Sequence, residues 1–404
     1  MRILKDLVDL AQQLSEMRKQ YKDYVVPVAG LDMNDEGKLT MFVDDEHKAM
    51  SLLSHAHSQL ADRLGIAKRY YDRCLFEATD LLSTNVNYWF RKAPTNKKYL
   101  VRTINNSVRA LLSTRYRIVD HLDLLTTAVQ VITGQDKQKD TSHAVGAGCF
   151  TWNLDLLRMD VGFVNPSMVA DLNHLDRGVH LGMKKENFGG TSGTAFVYPG
   201  AEHHHAGTIY TWGNKPKPPA GTHPVFPAAF VKNHEGGAGS INVSAGIYEA
   251  VCDNTCRIGV QSVQRHIGRP ITMDDIASPD TLRKENELVF ARFADVLRSV
   301  FDPTSFLNTC KKMRGLQDFD VDNAKQAAKQ IVSHYGLDEG LREDILSAYS
   351  PLGGKGTALD LQRALTNAAN DLREDYSDRA EALEVAAGSM LNETWATMHS
   401  MLNT

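Results

Sequence analysis

Residues 99–119, YLVRTINNSVRALLSTRYRIV, hold two apolar runs separated by Asn105, Asn106 and Ser107. β-Branched and aromatic residues on both sides of turn formers predict a β-hairpin. Alternation along its strands sends Arg102, Arg109, Arg115 and Arg117 toward a polar face or edge. A helix is expected before it, ending near Phe90, and another after it, from about Leu122 to Thr133.

The hairpin lies in an unusual window. Between Asp80 and Asp120 there is no acidic residue, while Arg91, Lys92, Lys97, Lys98, Arg102, Arg109, Arg115 and Arg117 are all basic. Tyr88, Trp89, Phe90, Tyr99 and Tyr116 are interleaved with them. The chain as a whole carries a net charge of -4, so affinity for a polyanion has to come from a local patch of this kind.

Working outward, residues 3–20 have helical spacing, and YVVPVAGLDMNDEGKLTMFV reads as a hairpin around Asn34–Gly37. From Glu46 to about Leu64 the spacing of Met50, Leu52, Leu53, Leu60 and Leu64 predicts a helix closed by Gly65. The segment HSQLADRLGIAKRYYDRCL has the cadence of a helix-turn-helix, with Lys68, Arg69, Tyr70 and Arg73 on the second helix. The pattern is also that of an ordinary helical hairpin with Tyr70, Tyr71 and Leu75 packed inward, which is the reading favoured here. From Ala147 the texture turns to short β-branched runs with dense glycine and proline, and beyond Pro279 to helices near 281–301, 321–335, 338–348, 357–371 and 378–402, with Pro303 stopping the first.

These readings give an α+β chain in three parts. They are an N-terminal helix/β-hairpin module over 1–134, a β-rich module with long loops over 145–268, and an all-helical module over 279–404. A length of 404 residues exceeds what one core usually organises. A hydrophobic fraction of 42% and a charged fraction of 23% are those of a soluble globular protein. No run approaches the roughly 18 to 20 apolar residues of a membrane helix, so no membrane is expected and the location is read as cytoplasmic. Five scattered cysteines fit reduced thiols, and Cys252 with Cys256 lacks the second ligand pair of a zinc site.

The remaining chemistry is thin. His203, His204 and His205 are consecutive, so on a strand at most His203 and His205 face one ion, and His174, His180, His223 or His234 would have to complete it. NFGGTSGTAF is not a nucleophile elbow, and SPLGGKGTALDLQRAL fails the phosphate-loop pattern because Gly356 follows Lys355; Thr357 caps the next helix instead. No catalytic residue, metal ligand set or cofactor is assigned.

Arginine and lysine side chains gain affinity for phosphates by counterion release, and flat rings stack on unpaired bases at roughly 1 to 3 kcal/mol each. A flexible single strand offers both. The candidate nucleic-acid-binding residues are therefore Trp89, Arg91, Lys92, Lys97, Lys98, Arg102, Arg109, Arg115, Tyr116 and Arg117. The competing reading makes Trp89, Phe90 and Tyr99 core residues and the arginines guards of a sheet edge.

At SHAHSQLADRLGIAKRYYDRCL, LLSTNVNYWFRK, VRALLSTRYRIVDHLDLL and VSAGIYEAVCDNTCRI, the chain resembles a family of phage- and plasmid-borne proteins of unknown function, over about residues 46–270. Members of that family carry a Cys-Ser-Asn-Gly type of turn where this chain has Cys252, Asp253, Asn254 and Thr255. The resemblance implies a mobile-element protein of the host cytoplasm and a distant likeness to phage single-strand annealing proteins, which oligomerise around a β-hairpin sheet. The expected function is single-stranded DNA binding in annealing or recombination, by a homo-oligomer assembled through the helical tail. The alternatives are a helix-turn-helix regulator of duplex DNA and a metal-dependent enzyme centred on His203–His205.

Overall fold

The computed structural model describes residues 7–132, 148–165, 168–181, 184–186, 195–197, 209–211, 223–249, 254–265, 279–349, 356–372 and 376–403. Among them the class is α+β, with strands in the N-terminal and middle parts and helices toward the C-terminus.

Helix α1 (Leu7–Lys19) leads into strand β1 (Tyr21–Pro27). The expected hairpin follows as β2 (Leu31–Met33) and β3 (Leu39–Val43), its turn held by the Asn34 side chain, which accepts from the Glu36 and Lys38 amides. The helix expected from Glu46 does not begin there. Glu46–Leu52 is strand β4, pairing with β3 from Leu39↔Met50 to Val43↔Glu46. Met50 and Leu52 are buried and Ser51 is exposed, a period of two that the helical reading misses because Leu53 and Leu60 extend it into a true helix.

That helix is α2 (Ser54–Leu64), ended by Gly65 at φ +65°. Next come α3 (Lys68–Glu77) and α4 (Thr79–Lys92), then the hairpin of β5 (Lys98–Ile104) and β6 (Ser107–Ser113), reversed at Asn105. Strand β6 ends at Ser113 rather than running on to Val119. The six strands lie in the order β1-β5-β6-β4-β3-β2. Helices α2 to α4 seal one face, where Val101, Val108 and Leu111 meet Leu60, Leu82 and Phe90. Helix α5 (His121–Ile132) closes this part.

The middle part is built on β7 (Gly148–Leu154), β8 (Arg158–Val164), β9 (Met168–Asp171) and β10 (Val179–Leu181), with β11 (Lys184–Glu186), β12 (Ala195–Val197) and β13 (Ile209–Thr211) forming a separate three-stranded sheet. Three longer strands complete the seven-stranded sheet: β14 (Pro224–His234), β15 (Ser240–Glu249) and β16 (Asn254–Arg265). Strand β14 is central, bonded to β15 on one side and to β8 and β9 on the other.

Helix α6 (Pro279–Val300) packs with α1 and α5 on one face of this sheet, through Leu10, Leu124, Phe163, Val231 and Phe293. Pro303 does not merely stop α6; it opens α7 (Pro303–Gly315), a helix absent from the sequence reading, capped by the Asp302 carboxylate accepting from the Ser305 amide at 2.8 Å. The rest are α8 (Ala324–His334), α9 (Leu341–Ala348), α10 (Ala358–Leu372), α11 (Ser377–Ser389) and α12 (Trp395–Asn403). Thr357 caps α10 as expected, in a reciprocal box with Asp360. Helices α7 to α12 form one core with the other face of the middle sheet. Among the described residues no helix is long and apolar enough to cross a membrane.

Candidate nucleic-acid interface

The arginines of the β5–β6 hairpin do not share a solvent face. Both strands are buried on both sides, and Arg102 and Arg109 are 1% and 0% exposed. Arg102 donates to Asp23 at 3.0 Å, to Asp120 at 2.8 Å and to the Glu235 carbonyl at 3.1 Å. Arg109 donates to the Glu235 carboxylate at 2.5 Å, and its guanidinium lies 3.7 Å from the centre of the Tyr21 ring. Both are thereby corrected from phosphate contacts to interior ion pairs. The reason is tertiary: the face that alternation marks as polar is covered by residues 233–239, the tip of the β14–β15 hairpin, which brings its own carboxylate.

That tip is a plug. Glu235 accepts from the His121 amide, Asn233 donates to the Val119 carbonyl, and Tyr116 donates to the His234 carbonyl. From α2, Gln59 donates to the Gly236 carbonyl and His55 bonds to it through Nε2. Tyr116 is thus half-buried and occupied, and it leaves the set of stacking candidates. Burial alone would raise the Glu235 carboxyl; the neighbouring His121, Arg109 and Arg102 outweigh it and hold it below the usual glutamate range.

The plug also fixes a pH dependence. His234 accepts from the Gly236 amide through Nδ1 and lies 5.2 Å ring to ring from His55; burial, then His55, push it down to about 4. Its unfolded counterpart titrates near 6.5. Between those values the unfolded chain binds a proton that the folded chain refuses, so stability is lost as pH falls from about 6.5 toward 4 and is flat in this group above it. Denaturation midpoints across that range should show the fall. His234→Asn, whose Oδ1 accepts the same bond without titrating, should reduce its slope.

The other cations gather elsewhere. Helix α4 ends with Arg91 and Lys92, placed favourably against its C-terminal carbonyl ends. The chain turns through 93–97 into β5 at Lys98, and Lys98 pairs with Pro27 at the end of β1. Tyr99 lies opposite Ser113, so the turn carrying Arg115 is at the same end of the sheet. Arg91, Lys92, Lys97, Lys98 and Arg115 are exposed, and none of them has an ion pair among the described residues. Arg63 of α2 lies beside them but is half-buried and donates through Nε to the Leu111 carbonyl at 2.9 Å; its guanidinium lies 5.2 Å and the Lys97 ammonium 5.6 Å from the centre of the Tyr99 ring.

Beside these charges are two flat side chains. Trp89 is 45% and Tyr88 53% exposed, the two rings meeting edge to face at 5.3 Å, with the Lys92 ammonium 5.7 Å from the Tyr88 ring. Phe90 and Tyr99, by contrast, are core residues. The core placement expected of Trp89, Phe90 and Tyr99 therefore holds for the last two and not for Trp89. Arg117 is half-buried and engaged, and it is not counted with the corner.

No family model, curated protein or solved structure matches this chain.

The remaining candidates are dispersed. In the helix-turn-helix segment Tyr71 is buried and bonded to His57 at 2.8 Å, Lys68 pairs with Asp72, and Arg73 pairs with Glu77. His203–His205, residues 187–194, residues 350–355 and Cys252 lie outside the described residues. His223 is bonded to Glu249 at 2.5 Å and His174 to Asp171 at 3.1 Å, so these histidines are committed to separate carboxylates. Burial would raise Glu249, but the His223 hydrogen bond and the Arg363 guanidinium keep it low. Among the described residues no three His, Cys, Asp or Glu side chains are grouped to hold a metal ion. Cys256 is buried, which pushes its thiol up to about 12 and leaves it unreactive.

Proposed function

We propose that this chain binds single-stranded DNA on the corner formed by the end of α4, the start of β5 and the turn after β6, as a phage or plasmid annealing or recombination accessory protein. The observation that carries the reading is the set of Arg91, Lys92, Lys97, Lys98 and Arg115, exposed and without carboxylate partners among the described residues, beside the exposed rings of Trp89 and Tyr88. Cations that no carboxylate engages are available to phosphates. Exposed rings supply what a duplex cannot use, since its base faces are already stacked. The resemblance of residues 46–270 to mobile-element proteins supplies the setting, and a strand longer than one corner would engage several copies.

Titration of labelled oligonucleotides tests this. Single strands should bind more tightly than duplex of the same sequence, with a log–log salt slope of about -3.5 for five phosphate contacts. Trp89→Ala should cost about 1 to 3 kcal/mol of binding. Reversing Lys92, Lys97 and Lys98 to Glu should abolish it while leaving the melting temperature in place, because all three side chains are exposed. Unchanged affinity after that triple reversal, or tighter binding to duplex, defeats the assignment.

A further inference from the structure

Exposed rings are not spread evenly over this chain. Among the described residues, Tyr70, Phe76, Tyr88 and Trp89 are exposed aromatic side chains of two consecutive helices, α3 and α4, which pack on each other. The solvent side of α4 is formed by Leu81, Thr84, Asn85, Tyr88, Trp89 and Lys92, at helical spacing, while Leu82, Val86 and Phe90 turn into the core. From Thr84 to Lys92 that side consists of hydroxyl, amide, ring and ammonium groups. It holds no carboxylate and no exposed leucine, isoleucine or valine.

Tyr70 extends this side. Its ring is 45% exposed at the seam between the two helices, with its hydroxyl at the Asn85 amide of α4. Asn85 is one turn before Tyr88 and Trp89 on the same side of the helix. Tyr70, the Tyr88 and Trp89 pair, and Lys92 therefore form a row, and from Asn85 to Lys92 the helix rises about 10 Å. At one end the row joins the basic corner, where the Lys92 ammonium lies 5.7 Å from the Tyr88 ring. Beyond the other end stand Glu77, the last residue of α3, and Asp80 in the first turn of α4. Their carboxylates repel a phosphate chain and bound the row, leaving Phe76 outside it.

We infer that Tyr70 is a third stacking residue of the single-strand site, which runs from the basic corner along α4 as far as the seam with α3. The inference rests on the nucleic-acid reading and adds to it a direction and an end. Rings spaced along a helix, with hydrogen-bonding groups between them, match successive unpaired bases, which offer a face to each ring and edges to Thr84 and Asn85. An apolar protein segment would find no aliphatic side chain to pack on between Thr84 and Lys92.

Fluorescence anisotropy of the full chain with labelled oligothymidylates of about 4 to about 16 nucleotides, the range of single-strand site sizes, tests it. Wild-type affinity should climb with length and level off once the strand reaches the seam. Tyr70→Ala should weaken the longest oligonucleotide about tenfold and leave the shortest within about twofold, because a short strand is held by the corner alone. Tyr70→Phe keeps the ring and should bind as the wild type does, whereas Trp89→Ala should weaken every length. Long-strand affinity that is unchanged in Tyr70→Ala while Trp89→Ala lowers it overturns the inference and leaves the corner standing. So does an equal loss at every length in Tyr70→Ala, or a Tyr70→Phe protein as weak as Tyr70→Ala, which would put the effect in the hydroxyl. A wild type that binds no length removes the corner reading and this inference together.

Discussion

Replacing Glu235 with alanine should destabilise the protein by about 3 to 5 kcal/mol, the range for removing one partner of a buried ion pair. The carboxylate is 1% exposed and does three things at once: it takes the Arg109 proton donor, it lies 3.8 Å from the Arg102 guanidinium, and it accepts the His121 amide. Alanine would leave Arg109 with only the Leu156 carbonyl and the Tyr21 face in a site closed to water. Removing both charges with Glu235→Gln and Arg109→Met should cost less than Glu235→Ala alone, because no uncompensated ion then remains. Urea denaturation of the single and double variants measures this. Equal losses in the two would mean that the pair is not what holds the plug. The arginines that look most like DNA ligands in the sequence are therefore the ones whose substitution should unfold the protein, so a loss of binding in their variants would say nothing about contacts.

What could be read from the chain follows the range of the interactions involved. Local signals held: the turn at Asn34, the stop at Gly65, the reversal at Asn105 and the cap at Thr357 each depend on a few neighbouring residues. The strand at Glu46–Leu52 was hidden because its two inward residues, Met50 and Leu52, fall in phase with the helix that follows. The site was legible as composition and not as geometry. An acid-free window announces cations, but whether each stays free depends on carboxylates outside the window: Asp23 and Asp120 for Arg102, and Glu235 for Arg109. Arg109 meets Glu235 across 126 positions, and the sequence NHEGGAGS around Glu235 reads only as a turn. A glutamate inside an otherwise uncharged glycine-rich hairpin tip is the one signal that could have raised the question. Lys92, Lys97 and Lys98 stayed free for the opposite reason: they sit at a helix end and a strand start, where nothing is packed over them.

A single methyl group added at Gly388 should be as damaging as the loss of a buried charge, and for a reason that no pairwise charge argument contains. Helix α11 lies on β16 with Ala380, Leu383 and Ala387 turned into the core. At Gly388 the two backbones come so close that a β-carbon would stand 1.8 Å from the Arg257 carbonyl oxygen and 2.5 Å from its carbon. Backbone cannot swing aside as a side-chain tip can, so Gly388→Ala has to lift the helix. The lift would be felt at once by Glu384, one turn earlier, which accepts from Thr255 at 2.6 Å and from Arg257 at 3.0 Å in a buried network that also takes in Asp160. Overpacking of this kind typically costs about 1 to 3 kcal/mol, and opening the Arg257–Glu384 pair adds to it, so the loss should reach about 3 kcal/mol or more. Gly315→Ala is the control: nothing lies within 4 Å of its added carbon and its φ of -57° suits alanine, so it should be neutral or slightly stabilising. Thermal denaturation of the two variants decides the matter. A Gly388→Ala protein that melts with the wild type would show that α11 is not seated on β16 by this contact.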